Sequence, residues 1–339
     1  MELYRYDHKD LEYRLRLLAE RGGFEEYELT YDSPYQTGLE SNDRVHAQLF
    51  LNKDSANKET HNQNDNKKSN LLIMIHGFST SKKKLERYYY FLNNMNSNGF
   101  STAFINLPFH LNRTPEGEKS GERLIYFDDL QTLLFFHQSV VDIIKLIDII
   151  PSIINFKNIF ICGISLGSMI SLVTMAHDKR INKGIFLIGG GNWHEIHWKG
   201  VLRFILKGNC IYRDEDYKNR KRREACEEIY SNFPEFIKKI KELQDRPIKI
   251  KMQDLPELKK VTKKMCFLCD PLAFAHKIAP KNAFMINSRF DLYFSRKSTN
   301  QLWEELGRPK IHWLNKFHSS EILNNGKIFK EINEFLQDT

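Results

Sequence analysis

The chain has 339 residues, of which 41% are hydrophobic and 12% aromatic, and its net charge is +8. This apolar content can bury a large core, which excludes disorder as the general state of the chain. An odd number of cysteines, five, argues against a disulfide framework. Because the first residues lack a signal pattern and no apolar run reaches the roughly 18 residues of a spanning helix, we expect a cytoplasmic protein without a transmembrane segment.

The N-terminal unit, residues 1–51, is predicted to contain one helix and two leading strands. The spacing of apolar residues over 10–21 predicts a short amphipathic helix that ends at a Gly-Gly pair. Phe24–Tyr31 and Val45–Leu51 are the predicted strands. Residues 52–70 include the polar run "NKETHNQNDNKKSN", which has almost nothing to bury. We therefore predict a flexible loop there.

From residue 71 onward, short continuously apolar strands alternate with helical patterns. This alternation is typical of a parallel sheet that is covered by helices on both faces. The predicted strands are Leu71–Ile75, Phe100–Leu107, Asn158–Cys162, Gly184–Ile188, Ala283–Asn287 and Ile311–Leu314. The predicted helices span 81–97, a long segment that is capped at Asp128 or Asp129 and ended by Pro151, the run after residue 165, and 301–306.

A basic segment interrupts this alternation. Residues 199–264 hold 19 Lys and Arg against 11 Asp and Glu, whereas the rest of the chain has 32 of each. We predict that residues 199–270 form a helical cap, inserted between two core parts, 71–198 and 271–339, over the carboxyl ends of the strands, where ligands bind in open α/β sheets. The surplus charge is either a solvated helix face or a surface for an anionic substrate, a membrane or nucleic acid. Interspersed glutamates and the lack of a reading motif argue against nucleic acid.

The pentapeptide "GISLG", centred on Ser165, fits the G-x-S-x-G pattern of a nucleophile at a sharp strand-to-helix turn. An apolar strand pattern precedes it and a helical pattern follows it. A serine hydroxyl is a poor nucleophile at neutral pH, so it needs a base, an acid that orients the base, and hydrogen-bond donors for the oxyanion. The sequence therefore indicates either a catalytic serine or a plain glycine-rich turn.

Over roughly residues 70–325 the chain resembles the α/β-hydrolase superfamily. Four stretches carry the resemblance in that superfamily's order: "IMIHGFST", "FICGISLGSM", "AFMINSRFDLYFS" and "IHWLNKFHSS". The resemblance implies an α/β fold with a mostly parallel sheet, helices on both faces and a helical cap before the acid-bearing strand. Two further stretches, "LPFHLNRTPEGEKSGE" and "DPLAFAHKIAPKNAFMINSRFD", are similar to poorly characterised bacterial members near the dienelactone-hydrolase and prolyl-oligopeptidase-like branch.

The resemblance also implies roles for particular residues. Ser165 would be the nucleophile, Asp291 the triad acid and His318 the base, in the superfamily's order Ser…Asp…His. The backbone N–H groups of Phe78 and Leu166 would form the oxyanion hole. From the residues alone, Asp291 is alternatively a turn-capping residue and His318 a surface histidine.

Several other residues have more than one possible interpretation. Asp270 is a rival acid, although it stands before the strand rather than after it. His76 either orients the oxyanion loop or contacts substrate. His110 and Arg113 either bind a substrate carboxylate or phosphate, or pair with neighbouring glutamates to hold their loop. Trp193 is a candidate wall of an acyl or leaving-group pocket.

The leading hypothesis is a serine hydrolase that cleaves a small-molecule carboxylic ester through an acyl-enzyme. Thioesters and amides remain open, because the same triad serves all three. A non-catalytic scaffold that uses the basic cap to bind a partner or an anionic surface is the alternative of a different class. We expect no cofactor and no metal, since His194 and His197 lack the H-E-x-x-H zinc spacing.

Overall fold

The computed structural model describes residues 3–7, 11–21, 23–52, 69–207, 217–245 and 264–338, and a nine-stranded sheet runs through this part of the chain. The strands are Tyr13–Arg21 (β1), Phe24–Asp32 (β2), Arg44–Asn52 (β3), Ser69–Ile75 (β4), Phe100–Ile105 (β5), Phe156–Ile164 (β6), Ile181–Leu187 (β7), Ala283–Ser288 (β8) and Lys310–Leu314 (β9). The α-helices are Glu40–Asp43 (α1), Lys82–Ser97 (α2), Asp129–Ile149 (α3), Leu166–His177 (α4), Leu202–Ile205 (α5), Tyr217–Ser231 (α6), Phe233–Asp245 (α7), Arg296–Glu305 (α8) and Gly326–Gln337 (α9).

The sheet is mostly parallel, as predicted. Its strand order is β1-β2-β3-β5-β4-β6-β7-β8-β9. The first three pairs in this order are antiparallel, and the other five pairs are parallel. Side chains alternate across β4, so that Ile73 joins the core beneath α3 and α4 whereas Met74 joins the core beneath α2 and α9. Both faces are therefore covered, and the continuous apolar strands of the sequence are explained.

The long helix α3 begins where the sequence predicted. Asp128 caps it: its carboxylate accepts a hydrogen bond from the N–H of Gln131 at 2.7 Å, while the Gln131 side chain accepts one from the N–H of Asp128 at 2.9 Å. This reciprocal capping box satisfies two backbone donors that a helix start otherwise leaves unpaired. The helix then runs for 21 residues through the interior. No helix in the described ranges is long and apolar enough to cross a membrane.

The helix predicted over residues 10–21 is wrong: β1 occupies Tyr13–Arg21 and pairs antiparallel with β2. The segment fits both the helical and the strand periodicity. Its leucines have a helical spacing, while Leu15 and Leu17 also alternate with arginines, as in a strand. A helix of this length is marginal by itself. The tight turn at Gly23 instead lets the segment complete a hydrogen-bonded ladder with β2. Residues 53–68 of the predicted flexible loop, and 208–216 and 246–263 of the predicted cap, lie outside the described residues.

Buried histidines make the stability of the fold dependent on pH. Burial lowers the pKa of His110, His137 and His197 to about 4, whereas an unfolded histidine titrates near 6.5. Between these values the unfolded chain binds more protons, so stability is fully present above pH 6.5 and is lost as the pH falls toward 4. Each histidine adds a slope of at most about 1.4 kcal/mol per pH unit.

We expect the free energy of unfolding in urea to change little between pH 7.5 and pH 6.5 and to fall as the pH is lowered from 6.5 to 5. His137→Gln removes one titrating ring, whose Nδ1 bonds the carbonyl of Leu3 at 2.6 Å, and should make the dependence shallower. A free energy of unfolding that stays level over this range would contradict the neutral, buried state of these rings.

Candidate active site

The turn that carries Ser165 is strained. Strand β6 ends at Ile164 and helix α4 begins at Leu166, and Ser165 between them has φ 57° and ψ −119°. Such a conformation typically costs a non-glycine residue about 1–3 kcal/mol, so surrounding contacts must hold it. The N–H of Ser165 donates to the carbonyl of Leu187 at 2.9 Å, which ties the turn to β7. The hydroxyl is thereby presented at the carboxyl edge of the sheet.

The two glycines of the pentapeptide permit close backbone approach at this turn. A Cβ on Gly167 would lie 2.3 Å from the carbonyl oxygen of Ile75, and a Cβ on Gly163 would lie 2.1 Å from the carbonyl oxygen of Gly167. Both distances are far below van der Waals contact, and the obstructing atoms belong to backbone. Helix α4 can therefore start against β4 only if these positions lack a side chain.

Gly167→Ala should destabilise the protein by at least about 1–3 kcal/mol, the usual effect of forcing extra atoms into a packed interior. Gly326→Ala at the first position of α9 is the matched control, because nothing lies within 4 Å of its added methyl group. That control should be neutral or stabilising by up to about 1 kcal/mol. Urea unfolding measures both, and equal stability of the two variants would refute the close approach at the turn.

Asp291 and His318 lie in the loops that follow β8 and β9. The Nδ1 atom of His318 is 2.7 Å from Oδ2 of Asp291, and its Nε2 atom is 2.9 Å from Oγ of Ser165. The other carboxylate oxygen of Asp291 accepts hydrogen bonds from the N–H groups of Tyr293 (2.8 Å) and Phe294 (3.0 Å). A carboxylate facing Nδ1 favours the tautomer with its proton there. Nε2 is then free to accept the serine proton.

Asp270, the rival acid, is engaged elsewhere. Its side chain is buried, and burial raises its pKa. The carboxylate accepts from the backbone N–H groups of Asn192, Trp193 and Leu272 and from the hydroxyl of Tyr230. These bonds connect the loop after β7 to helix α6. The structure thus brings Asp291, and not Asp270, to the imidazole of His318.

The two predicted oxyanion donors flank the serine. Leu166 is the first residue of α4, and Phe78 follows the His-Gly pair at the end of β4. Within the described ranges no acceptor is found for the N–H of either residue. A Cβ built on Gly77 would lie 3.3 Å from the Cβ of Ser165, so the Phe78 loop passes directly beside the nucleophile position.

His76 and His110 do not reach the cleft, and the interpretation of them as substrate contacts is wrong. Both are fully buried. Nδ1 of His76 bonds the carbonyl of Gly77 at 2.9 Å, and its Nε2 accepts from the N–H of Leu107 at 3.0 Å. His110 bonds the carbonyl of Pro108 at 2.8 Å and accepts from the N–H of Ser79 at 3.3 Å. Both rings therefore hold the loop that carries Phe78.

Arg113 is also fully buried, and neither prediction for it holds. Its Nη1 is 2.7 Å from Oδ2 of Asp142 in α3, and its guanidinium also donates to the backbone carbonyls of Asn42 and Asn106. Two of the three glutamates of its loop have other partners: Glu118 binds Arg123, and Glu122 accepts from the N–H of Lys119 at 2.8 Å. Arg113 thus crosslinks its loop to the core rather than binding substrate or neighbouring glutamates.

The candidate triad opens into a cleft of about 510 Å³. One wall comes from α3, with Phe135 and Phe136, and another from the start of the predicted cap. Most side chains of these walls are apolar: Leu124, Phe127, Phe135, Phe136, Met169, Trp193, Ile196, Leu202, Ile205 and Leu206. The cleft therefore suits a substrate with an apolar group beside the serine. Trp193 lies in a wall of this cleft. The sequence did not single out Phe135 and Phe136, since helical spacing does not tell which buried face borders a cavity.

Among the residues that the structure describes, no group of three or more His, Cys, Asp or Glu side chains is arranged to hold a metal ion. His197 instead lines the cleft, with its ring 4.8 Å from that of Trp193.

No protein-family model matches the sequence, and the search of curated proteins found no match either. Solved structures are similar in fold. An acetyl xylan esterase from Paenibacillus sp. R4 has a TM-score of 0.57 and 13% identity, over 96% of this chain and 89% of that one. An acylaminoacyl peptidase from Pyrococcus horikoshii has a TM-score of 0.54 and 14% identity, over 93% and 41%. A cold-adapted esterase from an Arctic intertidal metagenomic library has a TM-score of 0.52 and 13% identity, over 93% of this chain and 96% of that one. With the parallel sheet and its covering helices, these similarities establish that the chain has the α/β-hydrolase fold.

Proposed function

We propose that this protein is a serine hydrolase that cleaves carboxylic esters through an acyl-enzyme on Ser165. The observation that carries the proposal is the hydrogen-bonded row of Ser165, His318 and Asp291 at the mouth of an apolar cleft. The esterases among the structures of similar fold agree with it. A small-molecule ester, bound with its apolar part against the cleft walls, is the proposed substrate.

Acylation follows from the proton positions. As Oγ of Ser165 bonds to the ester carbonyl carbon, Nε2 of His318 takes its proton and the carbonyl π electrons move to oxygen. Asp291 holds the imidazole and stabilises the imidazolium. The N–H groups of Phe78 and Leu166 donate to the oxyanion. When the tetrahedral intermediate collapses, the bond to the alcohol breaks and the leaving oxygen receives the proton from His318.

Deacylation repeats the sequence with water. Nε2 of His318 takes a proton from water, whose oxygen attacks the acyl carbon. The second tetrahedral intermediate collapses by breaking its bond to Oγ, and Ser165 regains its proton from His318. The acid product leaves, and the enzyme returns to its starting state.

The apolar cleft predicts a preference for longer acyl groups. We expect kcat/KM for p-nitrophenyl esters to rise from acetate upward by at most about fourfold per methylene, because each buried CH₂ contributes about 0.8 kcal/mol. The rise should stop when the cleft is filled. A steady fall in kcat/KM from acetate onward would instead show that the acyl group does not occupy the apolar walls.

A fluorophosphonate probe tests the nucleophile directly, because it phosphonylates only an activated serine. Labelling should vanish in Ser165→Ala and persist in Ser320→Ala. Ser320 is the matched control, since it lines the same cleft but its hydroxyl accepts from Arg87 at 2.9 Å rather than contacting the imidazole. Undiminished labelling of Ser165→Ala would reject the assignment. A folded wild-type protein that neither labels nor hydrolyses esters would favour a non-catalytic scaffold.

A further inference from the structure

Exposed apolar side chains are concentrated in two places. In the described part of the chain, five of the ten large exposed hydrophobic residues form one group: Tyr126, Phe204, Phe290, Leu292 and Phe317, at 53–67% exposure. We call these five the mouth rim. Four leucines along or just before β1, including Leu15 and Leu17, form a second group at 37–47%. Concentrations of exposed apolar surface mark interaction sites, whereas single exposed residues are ordinary.

The mouth rim surrounds the entrance to the cleft. Four of the five stand within two residues of a residue that lines the cleft, as Phe204 stands between Leu202 and Ile205, and Phe317 precedes His318. Phe290 stands three residues before Tyr293, which also lines the cleft. The rings of Phe290 and Phe317 contact each other, with centroids 5.9 Å apart.

The segments that carry the rim are also joined to one another. Lys207 donates to the carbonyl of Ile125 at 2.6 Å, and Val201 donates to that of Leu292 at 3.0 Å. Phe290 donates to Lys316 at 3.3 Å through the backbone. The rim is therefore one continuous border of the entrance, supported by ordered backbone.

Basic side chains alternate with the rim. The guanidinium of Arg203 lies 4.4 Å from the Phe204 ring centroid, and the ammonium of Lys207 lies 5.6 Å from that of Tyr126. Arg289 and Lys316 precede Phe290 and Phe317 directly. All four are exposed, and none has an ion-pair partner among the described residues.

Exposed aromatic and aliphatic side chains beside unpaired cations match the boundary of an anionic bilayer. Rings and leucines enter the region between headgroups and acyl chains, and lysines and arginines remain at the phosphates. We propose that the mouth rim seats on an anionic phospholipid surface, with the cleft facing the lipid. Resting on the proposed function, this placement lets an acyl ester that resides in the bilayer reach Ser165 without crossing water.

Sedimentation with vesicles tests the seating on its own. The Ser165→Ala protein is used, so that hydrolysis does not change the lipid. We expect it to bind vesicles of phosphatidylcholine with a quarter of phosphatidylglycerol, and to bind pure phosphatidylcholine more weakly. Phe204→Ser combined with Phe317→Ser should weaken binding about tenfold or more, since two ring insertions are lost. Lys207→Ala should weaken it about fivefold at low salt.

Leu15→Ser combined with Leu17→Ser is the matched control, because it removes two exposed apolar side chains remote from the cleft and should bind as before. Thermal unfolding checks that each variant is folded. Absence of binding to the anionic vesicles, or equal binding by the rim variant, overturns the proposal. Loss of binding in the β1 variant alone overturns it in favour of β1. If the protein does not bind vesicles but forms a dimer that the rim variant does not form, the proposal is overturned in favour of a second copy of this chain. None of these results bears on probe labelling of the wild type, which tests the hydrolase assignment separately.

Discussion

Ser165→Ala should lower kcat for p-nitrophenyl ester hydrolysis by about 10⁶-fold. The alanine cannot form the acyl-enzyme, and only the oxyanion donors and substrate binding would remain. His318→Ala should cost about as much, and the double variant should be no slower than either single one, because the serine and its base act as a unit. Single-turnover and steady-state rates on one ester measure all three. Losses that multiply in the double variant would contradict the hydrogen-bonded pair.

Asp291→Asn tests the third member of the row. An amide can present its NH₂ group to Nδ1 of His318 and so favour the wrong tautomer, and we expect kcat to fall about 10⁴-fold with little change in stability. Asp270→Asn is the matched control. It disturbs the bonds that hold the loop after β7, so it should lower the unfolding temperature while leaving most of kcat. A loss of kcat for Asp270→Asn as large as that for Asp291→Asn, at unchanged stability, would reverse the assignment of the acid.

Arg113→Met should destabilise the protein by about 3–5 kcal/mol, the usual result of removing one partner from a buried ion pair. Both side chains are almost wholly buried, at 0% exposure for Arg113 and 1% for Asp142. Methionine would leave the Asp142 carboxylate with only Ser33 as a side-chain donor, and would leave the carbonyl of Asn42 without the guanidinium. Burial already raises the pKa of Asp142, an effect that Arg113 opposes, so the variant should push that pKa higher still.

Two further variants separate burial from pairing. Arg123→Met breaks the ion pair with Glu118, in which Arg123 is 33% exposed, and should cost no more than about 1 kcal/mol. Arg113→Met combined with Asp142→Leu should recover much of the single variant's loss, because no uncompensated charge then remains buried. Urea unfolding of the three variants completes the comparison. A double variant that is less stable than Arg113→Met alone would show that the pair is not coupled.

The amino-acid sequence by itself determined the kind of sheet, the start of α3 and the turn at Ser165. These follow from contacts between near neighbours: apolar runs mark strands buried on both faces, Asp128 and Gln131 cap a helix three residues apart, and two glycines flank a serine. Such signals are local, so they can be read without knowing what packs against them. The same locality explains the error over residues 10–21, whose leucines satisfy two periods at once and whose state depended on pairing with β2.

Only the tertiary structure decided which distant groups meet. It placed Asp291, and not Asp270, beside His318, because the loop after β8 is the one that passes this imidazole. It placed Arg113 against Asp142 rather than the glutamates nearer in the chain. It also set exposed rings from four separate segments of the chain around one entrance. Sequence patterns report the environment of a residue along its own element, whereas charge partners and cleft walls are set by how elements far apart in the chain cross one another.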